Sequence, residues 1–437
     1  VATPVTSRLA DMFGKRLVMA CCLGVMVCGS LLGALSQALP GAIAARAMQG
    51  IGVALIPIGI AIMRDELPER RVPLGVALMS ATLAIGAGVG LPLAGWVAQY
   101  EWHLLFWMTG GAGAVMLVAV LLAVPESPVR SPGAFDYRGA LLLSVALAAL
   151  LLALSKGGQW GWTSQLTLAC GIGGALVLAV WVPLELRVRA PLVDLRIAAR
   201  PAVLLVNLAS VLTGFGMFAN MLVTTQLFQL PVRTGFGLGL DAVTAGLLMA
   251  PTALVFGAVA PLSAYLTRRI GAHTTLAAGS LSMGAAYIAR VFLSNDVWQI
   301  VVGSLLVSVG TSLAFGAMPA LVMRLVPVTE TASANGLNTL LRSIGTSTSS
   351  AVVAAAAVLG AQEISRVTYP TFAALATVFW IAGAACVVAG LLVVPLLVRR
   401  DLLEQPDVAP DDDLGPDETL AERAAHPVSV PRAAHDT

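Results

Sequence analysis

The chain alternates long apolar runs with short polar connections, a pattern typical of helical membrane proteins. A membrane-spanning helix requires about 20 mainly apolar residues, whereas a β-barrel strand requires about 10 residues that alternate between apolar and polar. The runs have the first length and lack the alternation. We therefore predict an all-α membrane protein with twelve transmembrane helices, at residues 17–39, 41–63, 73–97, 104–124, 138–155, 165–184, 201–228, 241–266, 274–293, 297–323, 332–360 and 371–398.

The Lys and Arg residues of the connections are divided unevenly between the two sides of the predicted bundle. One set of connections holds most of them, and the opposite set holds only Lys156, Arg233 and Arg366. Cytoplasmic loops carry an excess of Lys and Arg. We therefore expect the residues around Asp11 and the C-terminus to lie in the cytoplasm.

The composition favours insertion into lipid and argues against catalysis. Of the 437 residues, 58% are hydrophobic and 11% are charged, whereas soluble proteins carry about 25% charged residues. The five cysteines lie in apolar runs and the four histidines are scattered, so core packing is expected rather than a metal site. The sequence shows no nucleophile–base pair and no Walker loop. We expect neither an enzyme nor a nucleic-acid partner, and no cofactor.

Two segments of the chain repeat each other. In Ser7–Gly14 and Ala264–Gly271 the matched positions are Leu9 with Leu266, Asp11 with Arg268, and Gly14 with Gly271. At nearly the same offset, a second echo joins Gly50 to Gly310 and Met63-Arg64 to Met323-Arg324. Parallel repeats of this kind indicate two halves of six helices each. The charge at Asp11 is reversed at Arg268, so we expect one half to be specialised for coupling.

The stretch Thr6–Arg16 resembles the cytoplasmic loop between helices two and three of major facilitator transporters, Gly-x-Leu-Ala-Asp-Arg-x-Gly-Arg-Lys. The matching residues are Leu9, Ala10, Asp11, Gly14, Lys15 and Arg16, whereas Ser7 and Met12 depart from the pattern. The resemblance implies a charged gating loop in which Asp11 latches the two halves by facing a helix N-terminus, where the dipole favours an anion. A simple polar turn, or pairing with Arg8 or Arg16, is the alternative.

The place of this motif implies that the first two helices of the family are missing from the chain, as in a fragment, a wrong start or a real truncation. Restoring them gives six, two inserted and six helices, which resembles the fourteen-helix drug/proton antiporters. We divide the chain into an N-terminal transporter half (1–124), inserted helices with cytoplasmic loops (125–200), a C-terminal half (201–398) and a disordered cytoplasmic tail (399–437). The acidic, Pro-rich tail is either solvated or a partner-binding segment.

Arg46 lies inside the second apolar run, where a guanidinium is costly and rarely without a function. With Gln49 and Gly50 it resembles the Arg-x-x-Gln-Gly motif of the family's fourth helix, which implies a role in proton coupling. Structural pairing, or snorkelling to the interface, is the alternative. A guanidinium cannot itself carry the proton. Between Leu17 and Val398 no Asp or Glu lies in the middle of an apolar run, so the coupling acid is not identified.

Two further helices carry motif-like residues. The third run resembles the antiporter motif of the family's fifth helix, with Pro displaced by one position, at Gly86, Gly90, Pro92 and Gly95. This implies exchange, and close packing of small residues is the alternative. Near the C-terminus, a stretch that contains Asn338 and Arg342 resembles the thirteenth-helix signature. These two residues are four apart and share a helix face, where either an interhelical hydrogen bond or a functional role is possible.

Scattered polar and methionine side chains are candidates for a substrate cavity with adaptable walls. The candidates are Met79, Trp107, Asn207, Met217, Asn220, Thr224 and Gln226. Helix-to-helix packing is the alternative for each of them.

The resemblance implies a secondary active transporter that exports amphipathic small molecules or drugs in exchange for protons. It would work as a monomer in the lipid bilayer by alternating access, with the proton motive force as its drive. Alternatives are export of a specific metabolite or self-made antibiotic, and a truncated, non-transporting remnant.

Overall fold

The computed structural model describes residues 2–68, 70–98, 100–127, 135–188, 191–294, 296–327, 330–364 and 367–398, which are almost entirely helical. The predicted tail at 399–437 lies outside these residues. Each of the twelve predicted runs coincides with helix. Nine helical segments of the described part are long and apolar enough to cross a membrane. The other three runs correspond to Val72–Ala98, Ala272–Phe292 and Thr331–Leu359, so the predicted number of twelve is approximate.

The first half consists of six helices. They are α1 (Ala2–Phe13), α2 (Lys15–Leu35), α3 (Leu39–Gln49), α4 (Leu55–Glu66), α5 (Val72–Ala98) and α6 (His103–Ala123). The predicted run 41–63 is divided, because a 3-10 helix at Gly50–Ala54 joins α3 to α4. Gly50 and Gly52 lower the helix propensity of this segment, so it winds differently from its neighbours.

Three helices connect the halves. They are α7 (Tyr137–Trp160), α8 (Gln165–Glu185) and the short α9 (Leu195–Ala198). The second half follows as α10 (Pro201–Gln229), α11 (Ala242–Ile270), α12 (Ala272–Phe292), α13 (Val297–Leu325), α14 (Thr331–Leu359), α15 (Phe372–Val393) and α16 (Pro395–Val398). Helices α7 and α8 pack on each other, and Leu340 of α14 joins the apolar cluster that contains their Leu143 and Trp181. The inserted pair is therefore attached to the second half through α14.

The sequence repeat is visible at the helix junctions. Gly14 separates α1 from α2 with φ +118°, and Gly271 separates α11 from α12 with φ +92°. Both values lie in a region that residues with a side chain rarely adopt. Arg64 and Arg324 likewise occupy the last turns of α4 and α13. The repeated residues therefore end equivalent helices in the two halves.

The expectation that Thr6–Arg16 form a charged loop was wrong, because Thr6–Phe13 form the second part of α1 and α2 already begins at Lys15. Helix α1 packs against α14. Ser7 and Asp11 are fully buried, and Arg8 is nearly so. Polar side chains in this segment suggested a solvated loop, but they face another helix instead of water. Gly14 ends the helix, and the sharp turn falls there rather than before it.

A β-hairpin connects α14 to α15 and was not predicted. Its strands are β1 (Ala361–Ile364) and β2 (Val367–Pro370), which pair antiparallel with Gln362 opposite Tyr369. The Arg233 guanidinium lies 5.3 Å from the centre of the Tyr369 ring. The hairpin therefore contacts the connection between α10 and α11.

Burial differs between the halves. Two large apolar clusters fill the second half, one around Val206 and Met318 and the other around Tyr287 and Phe379. The clusters of the first half are smaller. Helices α5 and α11 pack along each other, as do α1 and α14, so both pairs join the two halves.

Candidate functional site

Asp11 lies at the N-terminus of α14. Its carboxylate accepts hydrogen bonds from the backbone N–H groups of Ala332 (3.3 Å) and Ser333 (2.8 Å) and from the Ser333 hydroxyl (2.7 Å). The first N–H groups of a helix have no partner within the helix, and the dipole there favours an anion. Asp11 thus supplies from the first half the cap that α14 needs. The structure shows the contact, and its role as a latch remains a prediction.

The other residues of the predicted gating loop bind within the first half. Lys15 is fully buried and forms an ion pair with Asp65, and the Arg16 side chain donates to the carbonyl of Leu121. Gly14 forms the turn between α1 and α2. Lys15 and Arg16 therefore position α2, whereas Asp11 reaches across to the second half.

A second contact joins the halves beside Asp11. The Arg64 guanidinium at the end of α4 donates to the Thr331 hydroxyl (2.6 Å) and to the carbonyl of Val326 (3.4 Å). Thr331 is the first residue of α14, and Val326 lies just before it at the end of α13. Asp11 and Arg64 together bind one end of this helix, and we call the two contacts the α14 clasp.

The charge of Asp11 depends on its burial. Removal from water raises the pKa of this carboxyl from 3.8 to about 6, although the hydrogen bonds from Ser333 and the charge of Lys15 act in the opposite direction. Burial also raises the pKa of Glu330, with the charge of Asp194 as the next contribution. Helix α1 is not among the candidate membrane spans of the described part. Two carboxyl groups with raised pKa values therefore lie where the clasp closes.

We expect the clasp to tighten on acidification. The docked Asp11 carboxyl, with a pKa of about 6, binds its proton more tightly than an exposed one at 3.8. Docking should therefore be strongest below 3.8 and weaken as the pH rises through about 6. Hydrogen exchange of the Ala332 and Ser333 amides, corrected for the intrinsic pH dependence of exchange, measures this. The Asp11→Asn variant should lose most of the pH dependence and Glu330→Gln should retain it. Protection that decreases on acidification would contradict the prediction.

A cavity of about 390 Å³ lies between the two halves. This volume falls within the range of small-molecule sites, about 300–1,000 Å³. The first half contributes Val53 and Ile56, and the second half contributes parts of α10, α11, α13 and α14. The apolar part of the wall includes Met217, Phe218, Met221, Met249, Phe256 and Phe315. The wall is therefore mostly apolar, adaptable and aromatic.

The polar part of the cavity wall is made of amide and hydroxyl groups and one guanidinium. The amide and hydroxyl residues are Asn220, Thr252, Ser308, Thr311, Thr339, Ser343 and Thr346. Arg342 is the charged member of the described lining. Such a wall can bind the apolar body of a small molecule and hold its polar group by hydrogen bonds.

The structure brings two of the seven predicted cavity residues into this lining, namely Met217 and Asn220. The other five lie elsewhere, and their packing gives the reason. Met79 packs against Gly59, Trp107 is 49% exposed on the outside of α6, and Asn207 binds Asn338. Thr224 is buried and hydrogen-bonded to Asn220, and Gln226 is half-buried with its Oε1 atom unpaired. Those five do not line this cavity in the described conformation, and their contact with substrate stays a prediction.

Arg46 and Gln49 contact each other at the end of α3. Arg46 donates to the Gln49 side chain (3.2 Å), and its guanidinium lies 4.7 Å from the centre of the Phe106 ring. The Gln49 amide donates in turn to the hydroxyls of Ser30 (2.9 Å) and Thr109 (3.3 Å). The pair therefore links α2, α3 and α6. Arg46 itself is exposed and forms no ion pair with a carboxylate among the described residues.

The glycine motif lies on α5, which also carries Pro92 and Gly95. No described atom comes within 4 Å of a Cβ built at Gly86 or Gly90. Their role in exchange stays a prediction.

Asn338 and Arg342 share a face of α14 but have different surroundings. The Asn338 amide donates to Asn207 (3.1 Å) and to the Ser210 hydroxyl (2.6 Å) of α10, which is the interhelical alternative. Arg342, one turn further on, lines the cavity. Asn338 therefore holds α14 against α10, and Arg342 on the same face forms part of the cavity wall.

A buried arginine in α12, which is not among the predicted site residues, is the centre of a polar cluster. Arg290 is 1% exposed and donates to the amide oxygen of Asn220 and to the Thr224 hydroxyl (2.9 Å). Its guanidinium lies 4.4 Å from the centre of the Phe379 ring, and Asn220 donates onward to the Ser304 hydroxyl (3.1 Å). We call Arg290, Asn220, Thr224 and Ser304 the Arg290 cluster. An arginine within an apolar run was the signal that could have revealed it.

The family match agrees with this architecture. Residues 1–350 match the Major Facilitator Superfamily. This chain belongs to the Major Facilitator Superfamily. The resemblance stated for the sequence is confirmed at that level, and the family is one of transporters.

A curated relative in the superfamily is named as a multidrug resistance protein. Multidrug resistance protein Stp of Mycobacterium tuberculosis is 28% identical over 351 residues, which cover 79% of this chain and 64% of Stp. The chain thus spans less than two thirds of the length of this relative. The name agrees with the predicted multidrug efflux type.

Solved structures of superfamily transporters share the fold. The human organic anion transporter MFSD10 (TETRAN) aligns with a TM-score of 0.62 at 17% identity, covering 90% of this chain and 80% of MFSD10. A peptide transporter POT in complex with sulfate aligns with a TM-score of 0.60 at 18% identity, covering 93% and 85%. At these identities the likeness concerns the fold alone.

Proposed function

We propose that this protein exports amphipathic small molecules across the bacterial cytoplasmic membrane by alternating access, driven by the proton motive force. The observation that carries the proposal is the cavity between the halves, whose wall combines methionine and aromatic side chains with a few polar groups. The proposal includes a monomer, a cytoplasmic C-terminus and no cofactor. The multidrug resistance relative supports it.

The α14 clasp supports a two-state mechanism. In the described conformation, Asp11 and Arg64 of the first half hold the start of α14 in the second half. Rocking of one half against the other requires these contacts to break and reform. We propose that the cavity opens toward the clasp when Asp11 leaves α14, and is closed on that side when Asp11 is docked.

Arg46 and Gln49 are the proposed coupling pair. A guanidinium stays charged at physiological pH, so Arg46 acts on the proton step by its field rather than by carrying the proton. Its link through Gln49 to Ser30 and Thr109 connects any change at Arg46 to α2 and α6.

We expect Arg46→Ala to abolish proton-driven efflux while leaving insertion into the membrane intact. The measurement is accumulation of a fluorescent amphipathic dye in inverted vesicles after an imposed pH gradient, with a protonophore as the zero level. Arg269→Ala, which removes an exposed arginine at the end of α11, serves as the charge-matched control and should transport normally. Unchanged dye accumulation in Arg46→Ala vesicles would refute the coupling role.

A further inference from the structure

Arg342 is held in place at the cavity wall by α10. A Cβ built at Gly214 of α10 would lie 2.6 Å from the Arg342 carbonyl oxygen, so the two backbones touch. The hydrogen bonds from Asn338 to Asn207 and Ser210 fix the preceding turn. The position of Arg342 is therefore set by the packing of α14 on α10.

The guanidinium of Arg342 is oriented by an aromatic ring rather than by an acid. Its central carbon lies 4.7 Å from the centre of the Phe315 ring, which also lines the cavity. Such stacking fixes the plane of a guanidinium and leaves its N–H groups available. The hydrogen bond to the Thr339 hydroxyl is long, at 3.5 Å.

The half-buried Arg342 differs in this from Lys15, a fully buried cation at another junction of helices. Lys15 is neutralised by the carboxylate of Asp65, whereas no carboxylate pairs with Arg342 in the part of the chain that the structure describes. Its neighbours along the cavity are hydroxyl and amide groups. A positive charge at membrane depth without an acidic partner is unfavourable. An anion that enters the cavity would relieve this cost.

We infer that Arg342 selects amphipathic organic anions as cargo, binding the acidic group of the molecule while Met217, Met249 and Phe256 contact its apolar body. This inference rests on the proposed export function and names its substrate class. Hydrogen bonds from a guanidinium to an oxyanion are short and strong because both partners are charged. The same charge repels cationic amphiphiles, which provides discrimination as well as affinity.

A matched pair of probes tests this inference. Anilinonaphthalene sulfonate and phenylnaphthylamine share one apolar body and differ in the sulfonate, and ethidium supplies a cation. Efflux of each is measured in vesicles across a concentration series. In the unchanged protein, the sulfonate should be exported with the lowest half-saturating concentration, and ethidium with the highest.

The Arg342→Gln variant should raise the half-saturating concentration of the sulfonate about tenfold or more, as expected for loss of a charged hydrogen bond, and leave the neutral amine unchanged. Arg342→Lys should keep most of the preference. Arg269→Gln removes one exposed positive charge outside the cavity and should change neither probe.

Each other outcome has a defined meaning. If the unchanged protein exports the amine but does not prefer the sulfonate, the inference is overturned and the export function stands. If Arg342→Gln inserts normally but loses both probes equally, Arg342 serves transport in general and the inference is again overturned. Export of none of the three probes would overturn both the function and the inference.

Discussion

Replacing Gly345 by alanine is expected to destabilise the protein more than any other single-methyl addition on α14. A Cβ at this position would lie 2.0 Å from the carbonyl oxygen of Val211 and 3.0 Å from the backbone nitrogen of Phe215, both on α10. Backbone atoms cannot move aside as a flexible side chain can. The two helices must separate, which would also disrupt the contact between Gly214 and the Arg342 backbone. We expect a loss of about 3 kcal/mol, at the upper end for overpacking.

Thermal unfolding in detergent, followed by the amount of monodisperse protein left after heating, measures this loss. Gly173→Ala on α8 is the matched control, because no atom of the described residues lies within 4 Å of a Cβ built there. That substitution should be neutral or stabilising by up to about 1 kcal/mol, since alanine favours helix more than glycine does. Equal midpoints for the two variants would show that α10 and α14 are not in backbone contact.

Replacing Asn220 by leucine is expected to destabilise the second half severely. The amide oxygen of Asn220 accepts from Arg290, and its amide nitrogen donates to Ser304. Leucine has a similar size but no acceptor, so the buried guanidinium would keep only Thr224 and the face of Phe379. Among the described residues, the Nε atom of Arg290 already has no hydrogen-bond partner. Leaving one end of a buried charged group unpaired costs about 3 kcal/mol or more.

The double variant Asn220→Leu, Arg290→Met distinguishes a broken network from lost packing. Methionine fills part of the same volume without a charge, so the double variant should be more stable than Asn220→Leu alone. The two substitutions are in contact and are not expected to add. The folded yield and the unfolding midpoint of all three variants give the coupling energy. Additive losses would mean that Asn220 matters through its packing and not through Arg290.

Much of the architecture follows from local rules. In lipid a backbone must satisfy its own hydrogen bonds, so a long apolar run can only be a helix, and each of the twelve runs proved to contain one. The repeat could also be recognised in the sequence. The sharp turns at Gly14 and Gly271 require glycine, and the matched residues Leu9 and Leu266 precede these glycines by the same number of positions. The acid at Asp11 was assigned to a helix N-terminus from the resemblance alone, and the contact with Ser333 is present.

Local rules failed where an assignment depended on which side of a helix faces inward. On α10, residues toward lipid and residues toward the core are both apolar, so the sequence pattern has no polar face that marks the outside. Asn207, Asn220 and Thr224 all suggested the cavity, and of these Asn220 lines it. The role of Arg290 was not predicted for a related reason. Its partners Asn220 and Thr224 are neutral and lie on another helix, so no acidic residue in the sequence indicates a buried pair.

The helical membrane fold and its repeated halves are encoded locally, because helix formation in lipid and glycine turns are decided within a few neighbouring residues. Tertiary structure alone decided the sites. The amide of Ala332 reaches Asp11 from 321 positions away, and Arg342 meets the cavity because α14 packs on α10. Such contacts depend on the packing of whole helices, which neighbouring residues in the chain do not encode.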